Sequence, residues 1–202
     1  MQLWSLNMTA HFSKPVESII LKLASRCNLA CTYCYWFKDP EVYNYPGKPT
    51  DDVISAFLDR LDAHIKKYQL KYFELSLHGG EPLLFGKRKF IGLLSALNAI
   101  AKQNNCHLLY AVTTNGVLID DEWTHIFKCY QVQVCISIDG PAEIHDQYRV
   151  DLRGRGTYDR TIAGIETLRR HDIEPTIISV CDPTSSPAPL LHTLFDELQF
   201  KT

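Results

Sequence analysis

A chain of 202 residues, 46% hydrophobic and 22% charged, describes one globular domain with a core of ordinary size and excludes disordered and collagen-like sequences. Lys plus Arg, 21, against Asp plus Glu, 23, leaves a net charge of −2, so no overall basic field draws the chain to a phosphate backbone. No apolar run reaches the roughly 18 residues of a membrane span and the start lacks the pattern of a signal peptide, so the expectation is a cytoplasmic protein with neither nucleic acid nor membrane as partner.

The first element is a strand over residues 19–24, IILKLA. A polar loop from Ser25 to Thr50 follows and carries three cysteines, a run of aromatics and three prolines. Thr50 or Asp51 caps a helix in which Val53, Ile54, Phe57, Leu58, Leu61 and Ile65 recur at helical spacing and predict a buried stripe. Residues 72–77 form a second strand, closed by His78, Gly79, Gly80, Glu81 and Pro82, and Phe90, Leu93, Leu94, Leu97 and Ile100 mark the next helix. The pattern repeats with strands over 107–113, 132–138 and 175–181 and helices over 120–130, 159–170 and 189–199. Five strands alternating with five helices predict an α/β fold with right-handed crossovers and a parallel sheet under outer helices. Strand-to-helix loops then converge on one face. The unusual segments all sit in such loops: the cysteine loop, HGGEP at 78–82, TTNG at 113–116 and SIDG at 137–140. One site is therefore expected at the carboxyl ends of the strands.

Seven cysteines are an odd number for a disulfide framework. Cys106, Cys129, Cys135 and Cys181 stand singly in apolar surroundings and read as small buried hydrophobes, whereas Cys27, Cys31 and Cys34 fall within eight residues. Three explanations are open for that cluster. Buried structural thiols suit poorly a loop containing Arg26, Asn28 and Thr32. Zinc asks for four ligands, and with no second pair in the chain the fourth would have to come from a distance. An iron–sulfur cubane takes thiolates, and three of them leave one iron open. On the fourth strand Cys135, Ser137 and Asp139 share the face opposite Val134, Ile136 and Ile138, which points Ser137 inward, while Asp139 alternatively caps the turn at Gly140. Gly79 and Gly80 admit either close approach of a ligand to the backbone or simply a tight turn.

The C-x3-C-x2-C spacing with Tyr33 before the last cysteine, followed by Gly79-Gly80-Glu81-Pro82, Thr114-Asn115-Gly116, Ser137-Ile138-Asp139-Gly140, His145-Asp146 with Arg149, and Gly154-Arg155-Gly156-Thr157, resembles the radical S-adenosylmethionine (SAM) enzymes. Order and spacing resemble the SPASM-type branch that contains the anaerobic sulfatase-maturating enzymes and peptide maturases. LKLASRCNLACTYCYWF and HGGEPLLFG are most similar to maturases that form cyclophane crosslinks in ribosomal (RiPP) precursor peptides. The resemblance spans residues 19–202 and implies a partial (β/α)6 barrel lacking its sixth strand and the auxiliary-cluster extension, preceded by an N-terminal segment, 1–18.

The resemblance implies a 4Fe-4S cluster on Cys27, Cys31 and Cys34. It also implies SAM on the open iron, reductive cleavage to a 5′-deoxyadenosyl radical, and hydrogen abstraction from a peptide or protein substrate. The electron would come from a low-potential donor such as flavodoxin or ferredoxin. SAM would meet the backbone of Gly79 and Gly80, with Glu81 near its ammonium and Arg149 against its carboxylate. Ser137 would meet its ribose or carboxylate, with Asp139 beside it. Asn115 and His78 would face SAM or substrate, and the aromatic run with Tyr33 and Tyr35 would line the adenine site, the Tyr35 main chain nearest the base. Alternatives are formylglycine formation in a sulfatase, a non-catalytic zinc or iron–sulfur module, and RNA modification, which the mild acidity disfavours.

Overall fold

The computed structural model describes residues 14–200 apart from 183 and 185, so most of the expected 1–18 segment lies outside the described residues. Five parallel strands form one sheet in the order β1 (Ser18–Ala24), β2 (Tyr72–Gly79), β3 (His107–Thr114), β4 (Val132–Ser137) and β5 (Thr176–Ile178). Between them run α1 (Asp51–Tyr68), α2 (Lys87–Asn104), α3 (Asp121–Tyr130), α4 (Ala142–Tyr148) and α5 (Tyr158–Arg170). A sixth helix, α6 (Ala188–Leu191), continues into a π-helical turn over His192–Glu197.

Alternation in the strands fixes which face meets the helices. Phe73, Leu75 and Leu77 of β2, Leu108, Tyr110 and Val112 of β3, and Val134 and Ile136 of β4 are buried in one core with Ile65, Phe90, Leu94, Leu97, Phe127 and Leu168 from the helices. The opposite parity carries Lys22, Ser76, His78, Thr113, Cys135 and Ser137, all exposed or half-buried. Lys22, His78, Thr113, Ser137 and Ile178, one from each strand, line a single cavity. In a flat sheet β1 and β5 would stand about 19 Å apart at ordinary strand spacing, so the sheet curls around that cavity.

The helix boundaries follow from capping. Thr50 Oγ1 accepts the Val53 amide at 3.4 Å and starts α1, and Asp120 does the same for α3 through the Trp123 amide at 2.9 Å. Gln69, Asn105 and Gln131 end α1, α2 and α3 in the left-handed region, φ 52°, 51° and 54°. Each is followed at once by a buried residue, Leu70, Cys106 or Val132, which turns the chain back into the core.

Several expectations are corrected. Val53, in the first turn of α1, is 57% exposed, and only Leu61 and Ile65 of the stripe are buried. The fifth strand shrinks to three residues, since the Val180 amide bonds the Asp139 carboxylate at 2.9 Å instead of extending the ladder. Among the single cysteines only Cys106 is buried; Cys135 is half-buried on the inner face, and Cys129 and Cys181 are exposed, Cys129 on the outside of α3 at 3.4 Å from His125 Nε2. The long loop contains 3-10 turns over Tyr35–Lys38 and Pro40–Asn44 that alternation does not reveal. Among the described residues no helix is long and apolar enough to cross a membrane.

Candidate active site

The three clustered thiols face the cavity at the carboxyl ends of the strands. None of the three is in a disulfide. Their loop turns tightly, Cys34 N donating to Cys31 O at 3.0 Å, but most of its support comes from a distant segment. Ala30 N donates to Val150 O at 2.8 Å, Thr32 N donates to Tyr148 O at 2.9 Å, and Leu29 pairs with Asp151 in an antiparallel bridge. Cys27 Sγ accepts from Leu29 N at 3.4 Å and from Asn115 Nδ2 at 3.7 Å. Burial pushes the Cys27 thiol up to about 12. Burial also raises Cys31, with the Arg149 charge pulling the other way. A thiol so desolvated keeps its proton until an electropositive partner displaces it.

Gly79 and Gly80 line the cavity, and the structure gives a further reason for them. Gly80 N donates to Ala24 O at 2.7 Å and Glu81 N to Arg26 O at 2.8 Å, so the end of β2 lies directly against the chain leaving β1. A Cβ at Gly79 would collide with the Ala24 carbonyl oxygen, and one at Gly80 with that of Arg26. The glycines permit two backbones to touch where the cysteine loop begins.

Glu81 is buried behind the cavity wall. Its side chain is 1% exposed and absent from the cavity wall. The carboxylate accepts from Leu83 N at 3.0 Å, Thr114 Oγ1 at 2.7 Å and Asn115 N at 2.9 Å, which ties the end of β2 to the end of β3. With its acceptors committed to protein donors, Glu81 is an internal tie. Burial nevertheless lifts it to about 6, the three hydrogen bonds opposing the shift.

Asp139 is likewise internal. Both the carboxylate and Arg149 are buried, with Arg149 Nε at 2.7 Å and Nη2 at 3.3 Å from its two oxygens. Tyr33 Oη donates to the same carboxylate at 2.6 Å and Val180 N at 2.9 Å. Burial works against the Arg149 charge, but the bonds and charge of Asp139 outweigh it and raise its pKa. The alternative for Asp139, a cap of the Gly140 turn, is not among its side-chain hydrogen bonds. Arg149 still borders the cavity, and its remaining terminal nitrogen is not used by Asp139.

Of the other expected residues, Tyr33, His78, Asn115 and Ser137 line the cavity, as does Tyr35, which is 77% exposed. Asn115 Nδ2 is shared between Asn28 Oδ1 at 2.8 Å and the Cys27 sulfur. Lys22 escaped the sequence reading, although a cation at inward parity between Leu21 and Leu23 was a legible signal. Its ammonium sits 3.1 Å from the centroid of the Trp36 ring and opens on the cavity. A larger apolar depression, ≈ 540 Å³, lies between β1 and α1 but contains no thiol, so chemistry rather than size selects the cysteine cavity.

The donor set discriminates between the inorganic groups considered. Among the described residues no three His, Cys, Asp or Glu side chains converge on a single ion, which a tetrahedral zinc site requires. Three free thiols spread around one cavity, with no carboxylate on its wall, are the soft donors of an iron–sulfur cluster and leave one corner for another ligand. The residues present fit that group.

A family model described as the radical SAM superfamily matches residues 21–196. The chain is 31% identical over 196 residues to the serine-type anaerobic sulfatase-maturating enzyme of Bacteroides thetaiotaomicron, covering 94% of this chain and 45% of that protein. It is 30% identical over 179 residues to the cysteine-type enzyme of Clostridium novyi, covering 86% and 46%. A solved structure described as native anSMEcpe with bound AdoMet and Kp18Cys peptide superposes with a TM-score of 0.80 at 27% identity, over 93% of this chain and 50% of that one. The chain thus spans about half the length of the relatives it matches.

Proposed function

The chain belongs to the radical SAM superfamily, and from that premise we propose that it forms the catalytic core of a peptide-modifying enzyme with Cys27, Cys31 and Cys34 holding a 4Fe-4S cluster. The observation that carries this reading is the gathering of three free thiols from one loop on a cavity walled by all five strand ends. When bound, the reduced cluster with SAM supplies a 5′-deoxyadenosyl radical that takes a hydrogen atom from the substrate.

The chain's own residues hold and orient. Arg149, fixed by Asp139, offers its remaining guanidinium nitrogen to a carboxylate at the cavity wall. Ser137 presents its hydroxyl from β4 to the same space, and the backbone at Gly79 and Gly80 borders it from β2. Tyr35 and Trp36 give it an aromatic edge. The N–H donors to Cys27 Sγ stabilise the thiolate form, and Lys22 and Arg149 bring positive charge to a site that gathers thiolates. A flavodoxin or ferredoxin is the class of partner that delivers the electron.

Two products are consistent with such a core. The named relatives favour oxidation of a Ser or Cys side chain to formylglycine. The LKLASRCNLACTYCYWF and HGGEPLLFG segments favour a crosslink in a ribosomal precursor peptide. Anaerobic reconstitution followed by measurement of iron, sulfide, methionine and 5′-deoxyadenosine tests the core reading. Cleavage of SAM by the chain and none by the variant with all three cysteines changed to Ala is expected. An iron cluster indifferent to SAM overturns it. An aldehyde-reactive hydrazide separates the products, since it labels formylglycine and leaves a crosslink untouched.

A further inference from the structure

The loop that carries the three thiols makes only one backbone bond between its own cysteines, Cys34 N to Cys31 O. Nothing local holds all three sulfurs toward one cavity, so their placement is imposed from outside. Besides the backbone bonds to Tyr148 and Val150 and the Asn115 bond to Cys27, the Tyr33 side chain ties the loop to a distant element. It stands immediately before Cys34 and two residues after Cys31, and its hydroxyl donates to Asp139 Oδ2 at 2.6 Å, across 106 residues of sequence. The same carboxylate takes Arg149 Nε at 2.7 Å from the end of α4 and Val180 N at 2.9 Å from beyond β5. Three separate parts of the chain are therefore fastened to one group that is 2% exposed. Tyr33 is fixed further by the Arg149 guanidinium 5.5 Å from its ring centroid and by the Tyr148 ring at 6.2 Å.

A buried ion pair is a poor source of stability, because desolvation of both charges offsets their attraction. Hydrogen bonds to a buried charge are strong and directional, and a carboxylate with donors from different elements fixes their mutual geometry. We propose that Asp139 and Tyr33 are positioning residues that set the spacing of Cys31 and Cys34 and thereby the retention and electronic symmetry of the cluster. The inference rests on the reading that these thiols hold an iron–sulfur cluster.

The test compares Tyr33→Phe with Tyr110→Phe in the full chain after anaerobic reconstitution. Tyr110 is a fair control: its hydroxyl donates to Asn98 Oδ1 at 2.7 Å, is similarly shielded, and lies in the outer core away from the thiols. Both variants lose one phenolic hydrogen bond, so both lower the urea midpoint of the unloaded chain. Only Tyr33→Phe is expected to release iron to a chelator faster than the parent, by about tenfold, the equivalent of one hydrogen bond to a charged group. It is also expected to alter the EPR line shape of the reduced cluster. Asp139→Asn, which weakens every bond at the carboxylate, should accelerate release further. Iron release and EPR spectra of Tyr33→Phe that match those of Tyr110→Phe overturn the proposal. A parent chain that takes up no more iron and sulfide than the variant lacking the three cysteines overturns the cluster reading, and the inference with it.

Discussion

Glu81 and His145 show how two buried titratable groups with opposite demands are built into one site. Glu81 accepts three donors, one from the turn after β2 and two from the end of β3. In Glu81→Gln one of those donors would face an amide N–H₂, so we expect a loss of about 2 kcal/mol in urea unfolding, the cost of a buried unsatisfied pair. His145 has no exposed surface and its ring is spoken for at both nitrogens. Nδ1 accepts from Asp139 N at 3.4 Å, so Nε2 carries the proton toward Thr157 Oγ1 at 3.1 Å, whose own hydrogen goes to Arg149 O at 2.8 Å. Burial first, and the Arg149 charge second, depress His145 to about 4, against the pull of Asp139 and Asp146.

The signs of the two groups differ. His145 is held neutral, so its contribution is complete above its unfolded value near 6.5 and is lost as pH falls toward 4, about 3 kcal/mol in all. Glu81 is raised to about 6, so burial of its neutral form favours the fold below its unfolded value of 4.5, an advantage of about 2 kcal/mol that disappears as pH rises through 6. Urea titrations of the unloaded chain between pH 7 and 4 should therefore show partial cancellation. In His145→Gln the acid loss disappears and stability rises on acidification through the Glu81 window; a variant that still loses stability as steeply as the parent contradicts the assignment.

At the scale of elements, the contact of the end of β2 with the chain leaving β1 has no room for a side chain. Gly80→Ala places a methyl against the Arg26 carbonyl and beside the Phe37 ring, both parts of the loop that bears the thiols. A destabilisation of about 2 kcal/mol and loss of most iron uptake are expected, measured by thermal unfolding and iron analysis. The alternation of strands and helices was legible because parity and caps are local: Thr50 and Asp120 announce α1 and α3, and IILKLA announces β1. The one-sided site was legible too, from the position of HGGEP, TTNG and SIDG after strands. What the sequence did not reveal is non-local. The length of β5 depends on Val180 meeting Asp139. The hydrogen-bond partners of Glu81 and Asp139 were not legible for the same reason, since their donors lie on other strands and loops.

For the whole molecule, the curled five-stranded sheet concentrates its reactive groups at one end and its stability in the opposite layer. The inner wall is half-polar and lightly packed, whereas the outer face of the sheet carries the core shared with the helices. A ligand that joins the cysteine loop to the strand ends therefore has much to add. Loaded chain should unfold at least several degrees above unloaded chain in anaerobic calorimetry, since binding to the native state alone at 100-fold excess over Kd contributes about 2.7 kcal/mol. Treatment with an iron chelator should return the transition to the unloaded value. Identical transitions would mean that the thiols bind nothing in the folded state.

The antiparallel bridge between Leu29 and Asp151, with the tether from Tyr33 to Asp139, has a consequence for biosynthesis. The sulfurs leave the ribosome before the parts that frame them, which are translated more than a hundred residues later. A nascent polypeptide shorter than that displays three bare thiols with no frame, open to oxidants and stray metals. A frame for iron and sulfide therefore exists only once Asp139 and Asp151 have been translated.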